Sequence, residues 1–192
     1  TVGEEARGGG VAVRGDLEIR GGAIYGNQTL GADAGGGGAF ADGDASLTAV
    51  GLRFNTTRGD GAPGGGIGVT GDLQLVGSQA GYNRTLGTNS PGGGVFAEGN
   101  ASLTNATLSG NQTVGDGSPG GGLGAGTVDL LASTVTGNAT FGSVSGGASS
   151  GNAGGIAVLS DDQNVRMDLS IVLGNATGSD LDRPRLLQEI SG

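Results

Sequence analysis

The sequence contains no cysteine, no histidine and no tryptophan, and all nine of its basic residues are arginine. Without cysteine the chain forms no disulfide and offers no thiolate to a metal. Without histidine it lacks the commonest general base and the commonest metal ligand. Catalysis by a Ser-His-Asp or Cys-His arrangement is therefore excluded. We expect a protein that is not an enzyme, with no metal and no cofactor.

The charge is strongly acidic, and long apolar runs are missing. Nine arginines stand against 18 Asp and Glu residues, which gives a formal net charge of −9 and a pI near 4.2. Nucleic acid and anionic lipid repel such a chain, so neither is expected as a partner. No run of about 18 apolar residues predicts a membrane span. Because the chain starts at Thr1 without a visible signal peptide, we expect a mature form or an excised part of one.

Glycine is the residue in excess, with 47 of 192 positions, where average usage is about 7%. Glycine loses more backbone entropy on folding than any other residue, so without a period this composition would indicate disorder. The glycines do have a period, because triplets open every 28 residues, at Gly8, Gly36, Gly64, Gly92 and Gly120. A weaker copy at Gly154 follows a longer step. The repeat predicts about six structural units.

Apolar residues alternate with polar or small ones within each unit, as at Ile67, Val69, Leu73 and Leu75. This period of two indicates short strands with one buried face. A single coil of such strands cannot bury that face, but stacked coils turn each apolar position into a continuous internal ladder. The sequence therefore predicts an all-β parallel β-helix, or β-solenoid, of about six coils of 28 residues. Successive coils would lie about 4.8 Å apart.

The repeat also predicts the boundaries of the domain. Residues 1–7 match the end of a coil, and residues 8–178 hold the coils, with a surface loop at 141–153 where the period is interrupted. The segment 179–192 departs from the repeat and is predicted to be a cap or a docking segment. Because open solenoid ends expose unpaired strand edges, we expect continuation into a longer chain or self-association. The coils are predicted to start near residues 8, 36, 64, 92, 120 and 154.

Two segments resemble the repeats of known surface proteins. Residues 92–113, GGGVFAEGNASLTNATLSGNQT, and residues 169–181, LSIVLGNATGSDL, are similar to repeats of the polymorphic outer-membrane-protein type and of large anchored bacterial surface proteins. In-phase copies extend the resemblance over nearly the whole chain. It implies a right-handed parallel β-helix, an extracellular or cell-surface location, and a role in adhesion or surface structure. The family has no catalytic residues to transfer.

Eight Asn-x-Ser/Thr sequons have two competing interpretations. N-glycosylation would place them on the surface of a secreted protein. Alternatively, asparagines at a coil corner stack into a hydrogen-bonded ladder. Six of the eight share one repeat column, which favours the ladder, and Asn100 and Asn105 lie outside it. The candidate glycosylation sites are Asn27, Asn55, Asn83, Asn100, Asn105, Asn111, Asn138 and Asn175.

Five aromatic residues are candidates for surface contacts, either by packing against a neighbouring molecule or by binding carbohydrate. The alternative is that they pack under the long corner loops. They are Phe40, Phe96, Tyr25, Phe54 and Tyr82.

Asp16, Asp44 and Asp72 form another column, which Asn100 continues. A Ca²⁺ ion would relieve the repulsion between carboxylates stacked about 4.8 Å apart. The favoured interpretation is a Gly-Asp turn in which each aspartate bonds its own backbone.

Three functions remain open. The leading hypothesis is a non-enzymatic extracellular structural protein, a β-helical subunit or segment of a surface fibre, sheath or adhesin, glycosylated and stacking end to end. An ice- or surface-binding solenoid is the alternative, because a threonine ladder runs along the repeats. The least favoured is a polysaccharide lyase or epimerase, in which only Arg14, Arg53 or Arg84, beside acids or Tyr82, could replace the missing lysine and histidine. The threonines are Thr29, Thr57, Thr85, Thr113 and Thr140.

Overall fold

The computed structural model describes residues 1–143, 153–160 and 164–177. Within these ranges the regular structure consists of 20 β-strands, and no helix long and apolar enough to cross a membrane occurs there. The strands are β1 (Val11–Val13), β2 (Leu17–Tyr25), β3 (Gln28–Thr29), β4 (Ala39–Ala41), β5 (Ala45–Arg53), β6 (Thr56–Thr57), β7 (Ile67–Val69), β8 (Leu73–Val76), β9 (Gln79–Gly81), β10 (Arg84–Thr85), β11 (Val95–Thr104), β12 (Thr107–Ser109), β13 (Gln112–Thr113), β14 (Leu123–Leu131), β15 (Thr134–Thr136), β16 (Ala139–Thr140), β17 (Ile156–Val158), β18 (Val165–Asp168), β19 (Ile171–Leu173) and β20 (Ala176–Thr177).

Each strand pairs in parallel with the strand at the same place in the neighbouring coil. Val11 of β1 lies opposite Ala39 of β4, which lies opposite Ile67 of β7, so the register equals the sequence repeat. The described strands form one sheet of 14 strands and one of six. The result is a β-solenoid of about five turns, close to the six coils predicted. The predicted all-β parallel β-solenoid is confirmed.

The predicted apolar columns form the interior. In the third coil Ile67, Val69, Leu73 and Leu75 are buried. Residues of the same columns in neighbouring coils lie directly above and below them, as Leu47 and Leu103 do for Leu75. Each apolar side chain taken from water in this way contributes about 1.5–3 kcal/mol. Repetition of the same small set of contacts therefore supplies the stability that one coil lacks.

A one-residue deletion explains why the Asn-x-Thr triplet at Asn138 comes one residue early. The pairing of β11 with β14 shifts register between Ala97 and Asn100, and Gly126 is the only residue of the later strand at that point. A β-carbon on Gly126 would lie 2.6 Å from the carbonyl oxygen of Glu98. Only glycine fits there, so the shortened coil still stacks in register on both sides.

The sequence predicts a coil end at residues 1–7 and a cap or docking segment at residues 179–192. Residues 1–7 lie on the corner of the first coil, where Leu30 N–H donates to the carbonyl of Thr1 and Glu5 N–H to that of Ala32. Most of the predicted loop at 141–153 and the whole segment 179–192 lie outside the described residues.

Truncation of a central column residue tests how stability depends on the stack. Leu75→Ala should lower the free energy of unfolding by about 2–5 kcal/mol, the usual range for a buried leucine. Urea denaturation followed by circular dichroism measures this loss. Leu131→Ala is the matched control, because that side chain is 43% exposed. We expect the control to change stability by less than about 1 kcal/mol; equal losses would contradict a core built from these columns.

Candidate functional site

The asparagine column forms a continuous ladder along the inside of one corner. The Oδ1 atom of Asn83 accepts from the backbone N–H of Asn55 at 3.0 Å and from its Nδ2 at 3.0 Å. Asn83 in turn donates both groups to Asn111 Oδ1 and uses its remaining amide hydrogen on the carbonyl of Leu52, at 2.9 Å. The same pattern runs from Asn27 to Asn175. From Asn27 to Asn138, each side chain therefore uses one amide hydrogen on the next asparagine and the other on a backbone carbonyl.

The glycine triplet is the counterpart of this ladder, as the third coil illustrates. Gly64 has φ +71, a conformation that favours glycine at a turn. A β-carbon on Gly65 would lie 2.3 Å from the carbonyl oxygen of Gly93, and one on Gly66 would lie 3.0 Å from Asn83 Nδ2. The first glycine makes the turn, the second lets the coils approach, and the third leaves room for the asparagine.

Burial determines which of the sequons can carry a glycan in the folded chain. Asn55, Asn83, Asn111 and Asn138 are completely buried, and a glycan would need the Nδ2 atom that each donates to the ladder. Of the two interpretations, the ladder is therefore the one observed at these four positions, and a glycan there does not fit the folded chain. Asn27, Asn100 and Asn175 are half-buried, and only Asn105 among the eight is exposed. Glycosylation of these remaining four stays a prediction.

The aspartate column makes hydrogen bonds between coils. Asp16 Oδ1 accepts from the backbone N–H of Asp44 at 3.0 Å, and Asp44 and Asp72 repeat the contact with the next coil. The expected bond from each aspartate to its own backbone is thus replaced by one to its neighbour. No group of three potential metal-ligating side chains occurs in the described part of the chain.

Two further aspartates accept bonds from the next coil, and this changes their acidity. The N–H and side-chain hydroxyl of Thr88 lower the pKa of Asp60 from its ordinary value. The hydroxyl and then the N–H of Ser143 lower the pKa of Asp116. Both shifts arise because the charged carboxylate is the better hydrogen-bond acceptor.

Buried serines form two more ladders that the repeat analysis missed. Ser90 Oγ accepts from Ala62 N–H, and Ser118 Oγ accepts from Ser90 N–H. Ser78 and Ser133 do the same at another corner. The sequence does contain a signal for the first of these ladders, because Ser90 and Ser118 lie 28 residues apart and each is followed by proline.

Three of the candidate aromatic residues form an exposed ladder on the outside of the solenoid. The ring centroids of Tyr25 and Phe54 are 5.3 Å apart, as are those of Phe54 and Tyr82. Their exposed fractions are 66%, 48% and 56%, respectively. The Tyr82 ring also lies beside Gly110, whose β-carbon would come within 2.8 Å of it. The rings therefore continue from one coil to the next as a row.

The other two aromatic candidates lie in a groove under the corner residues. Phe40 is only 7% exposed, and the guanidinium carbon of Arg7 is 4.7 Å from its ring centroid. Phe96 is half-buried and lines the same groove with Glu98. Packing under the corner loops is the arrangement observed for Phe40, so a surface contact by this residue does not fit the structure.

The threonine ladder points inward. Thr29, Thr57, Thr85, Thr113 and Thr140 are completely buried. Thr57 and Thr85 donate to the carbonyls of Ala62 and Ser90, at 2.7 Å each. A ladder buried in this way cannot provide the face that would contact ice.

The residues named for a lyase or epimerase are not brought together. Arg53 and Arg84 lie near Tyr82 on the outside of the solenoid, in two different repeat columns. Neither column contains an acidic residue. Arg14 directly follows β1, in a different column that also holds Asp42. The structure therefore separates Arg14 and its acidic neighbours from Arg53, Arg84 and Tyr82.

Comparisons with family models, with curated proteins and with solved structures found no match for this chain.

Removal of one ladder amide should destabilise the whole solenoid. Asn83→Ala leaves the buried N–H of Asn55 and the carbonyl of Leu52 unpaired, so we expect a loss of at least about 2 kcal/mol. The urea midpoint of unfolding measures it. Asn105→Gly is the control, because Asn105 is exposed with φ 50 and Gly77 occupies the same column with φ 57. A loss from Asn83→Ala no larger than that of the control would contradict the ladder's structural role.

The burial of each asparagine predicts which sequons carry a glycan. When the chain is secreted from a host that N-glycosylates, peptide mass spectrometry should find Asn105 modified and the four buried asparagines unmodified. Asn105→Gln should lower the intact mass by one glycan. A glycan on Asn55, Asn83, Asn111 or Asn138 of the folded protein would show that the ladder does not form there.

Proposed function

We propose that this chain is a non-enzymatic structural protein of the cell surface, a solenoid segment of a fibre, sheath or adhesin that stacks end to end. Carbohydrate is the proposed further partner, contacted by exposed aromatic residues. The observation that carries this proposal is that the described residues at the two ends expose inner apolar side chains and differ in their hydrogen-bonding groups. The extracellular location rests on the resemblance to surface repeats.

The first coil leaves inner apolar positions incompletely covered. Ile19 is half-buried, whereas Leu75 in the same column is completely buried. At the opposite end, Val165 and Met167 also occupy inner columns, yet they are 42% and 47% exposed. Because the interior is one continuous column of side chains, the described residues at each end show part of the cross-section of the core. A second copy is the occupant whose columns match this cross-section.

The asparagine ladder gives the two ends complementary polarity. From Asn27 to Asn138, each asparagine donates its backbone N–H and one Nδ2 hydrogen to the Oδ1 of the next asparagine towards the C-terminus. No described donor reaches Asn27 Oδ1 in the same way. At the other end Asn175 accepts from Asn138, and no described residue provides a further Oδ1 to it. An acceptor at one end and donors at the other support head-to-tail association. A contact between different surfaces of this kind generates filaments when it does not close.

Negative-stain electron microscopy and light scattering at increasing protein concentration test the stacking. We expect filaments with an axial repeat on the order of 25–30 Å, five to six coils of about 4.8 Å each. Ile19→Arg places a charge on the uncovered core and should abolish the filaments. Leu131→Arg, on an exposed side position, is the control and should leave them intact.

The circular dichroism of Ile19→Arg must show that the variant remains a folded β-solenoid. Monodisperse particles of monomer mass at every concentration would overturn end-to-end stacking. Filaments that persist in folded Ile19→Arg would also overturn it, because they would then form through another surface.

A further inference from the structure

We propose that the exposed aromatic ladder is a binding surface for an acidic polysaccharide, a polymer of uronic-acid type. The inference rests on the proposed function in that it names the class of carbohydrate partner. We define the aromatic strip as the outer face of the columns that hold Tyr25, Phe54 and Tyr82. These columns comprise residues 23–30, 51–58, 79–86, 107–114 and 134–141.

The strip differs in charge from the rest of the molecule. None of the chain's 18 acidic residues lies in these five segments, whereas three of its nine arginines do, namely Arg53, Arg58 and Arg84. All three side chains are exposed. The acid next along the chain, Asp60, already accepts a bond from Thr88 N–H at 2.8 Å. The strip is therefore a locally cationic, aromatic surface on a protein with a net charge of −9.

The arginines are available to a ligand. Among the described residues the ion pairs are Arg20 with Glu18 and Arg166 with Asp129, both outside the strip. Arg53 donates to the Gln79 side chain, a neutral partner. An arginine guanidinium pairs with a carboxylate through two parallel hydrogen bonds, so a carboxylate-bearing ligand satisfies this surface.

The shape of the strip favours a linear sugar polymer. Tyr25, Phe54 and Tyr82 form a row along the solenoid with 5.3 Å between successive ring centroids. Phe54 and Tyr82 stack on each other with 10° between their planes, and Tyr25 is tilted by 58° to Phe54. The row therefore offers ring edges and the uncovered outer ring faces to sugar rings, while Tyr hydroxyls, arginines and amides bond the hydroxyl and carboxylate groups. The acidic face of a second copy would match the arginines alone. A polyuronate matches the row and the charge together.

Intrinsic fluorescence provides a site-specific assay. The chain contains two tyrosines and no tryptophan, and both tyrosines belong to the ladder. Titration with polygalacturonate should therefore change tyrosine emission with saturation. Fully methyl-esterified polygalacturonate, which has the same backbone without the charge, should bind at least about tenfold more weakly. Ionic strength of about 0.15 M screens repulsion by acids more than about 8 Å away.

Two variants separate the ring contribution from the charge contribution. Phe54→Gly removes the central ring and keeps both fluorescent tyrosines. Phe54 has φ 57, and the same column contains Gly26 and Gly110 at φ 68 and 65, so the backbone accommodates the change. We expect this variant to weaken binding of both polymers at least about tenfold. Arg53→Gln with Arg84→Gln removes two of the three arginines and should reduce the preference for the charged polymer.

The control is Arg14→Gln with Arg20→Gln, which removes the same charge outside the strip and should leave the affinity unchanged. An equal loss in this control, equal affinity for the two polymers, or no saturable emission change would overturn the inference. An emission change that follows protein concentration without polymer would also overturn it, since a second copy would then cover the strip. Filament formation is measured separately. Polymer binding without filaments would overturn the proposed stacking and leave the proposed polysaccharide binding intact.

Discussion

The structure depends on one buried interaction, the packing of an asparagine ladder against a column of glycines. Each amide must accept from the preceding coil and donate to the next, because an unpaired amide in a dry interior is costly. That requirement places an asparagine at the same corner of every coil from Asn27 to Asn175. It also requires a residue without a side chain opposite, as Gly66 is to Asn83. The third glycine of each triplet is therefore a packing condition of the ladder.

The same condition explains where the coils vary in length. The one-residue shortening lies at Gly126, away from the asparagine corner. Between β14 and β17 paired residues are 33 apart in sequence, and between β14 and β18 they are 37 apart. The additional residues enter before β17 and between β17 and β18, and Asn175 still meets Asn138. Length is free to change wherever the ladder and the inner columns are not interrupted.

A scaffold of this kind leaves only its outer positions for recognition. Inner columns are confined to apolar residues, asparagine, serine and threonine, and the asparagine and serine side chains make hydrogen bonds between coils. Outward residues escape that constraint, and on one face they combine Tyr25, Phe54 and Tyr82 with Arg53 and Arg84. Function in such a fold belongs to the surface that the coils display, since the fold itself hosts unrelated functions. The two ends of the stack also differ from each other, because all strands of a parallel stack run in the same direction and the asparagine ladder has an acceptor at one end and donors at the other.

Period and alternation determined the fold, the coil register and the inner apolar columns from the sequence, because residues 28 apart must stack if the coils do. The shared repeat column favoured the asparagine ladder, but only the tertiary structure decided which way the corner residues point. It placed Asn83 and Thr85 inside, covered Phe40, and turned Asp16 towards the next coil. Such directions depend on turn dihedrals, as at Phe54 and Tyr82, where φ is positive. Non-glycine residues seldom adopt that conformation, so composition does not reveal it. Periodicity specifies which residues are neighbours, while burial and hydrogen bonding decide which of them meet solvent.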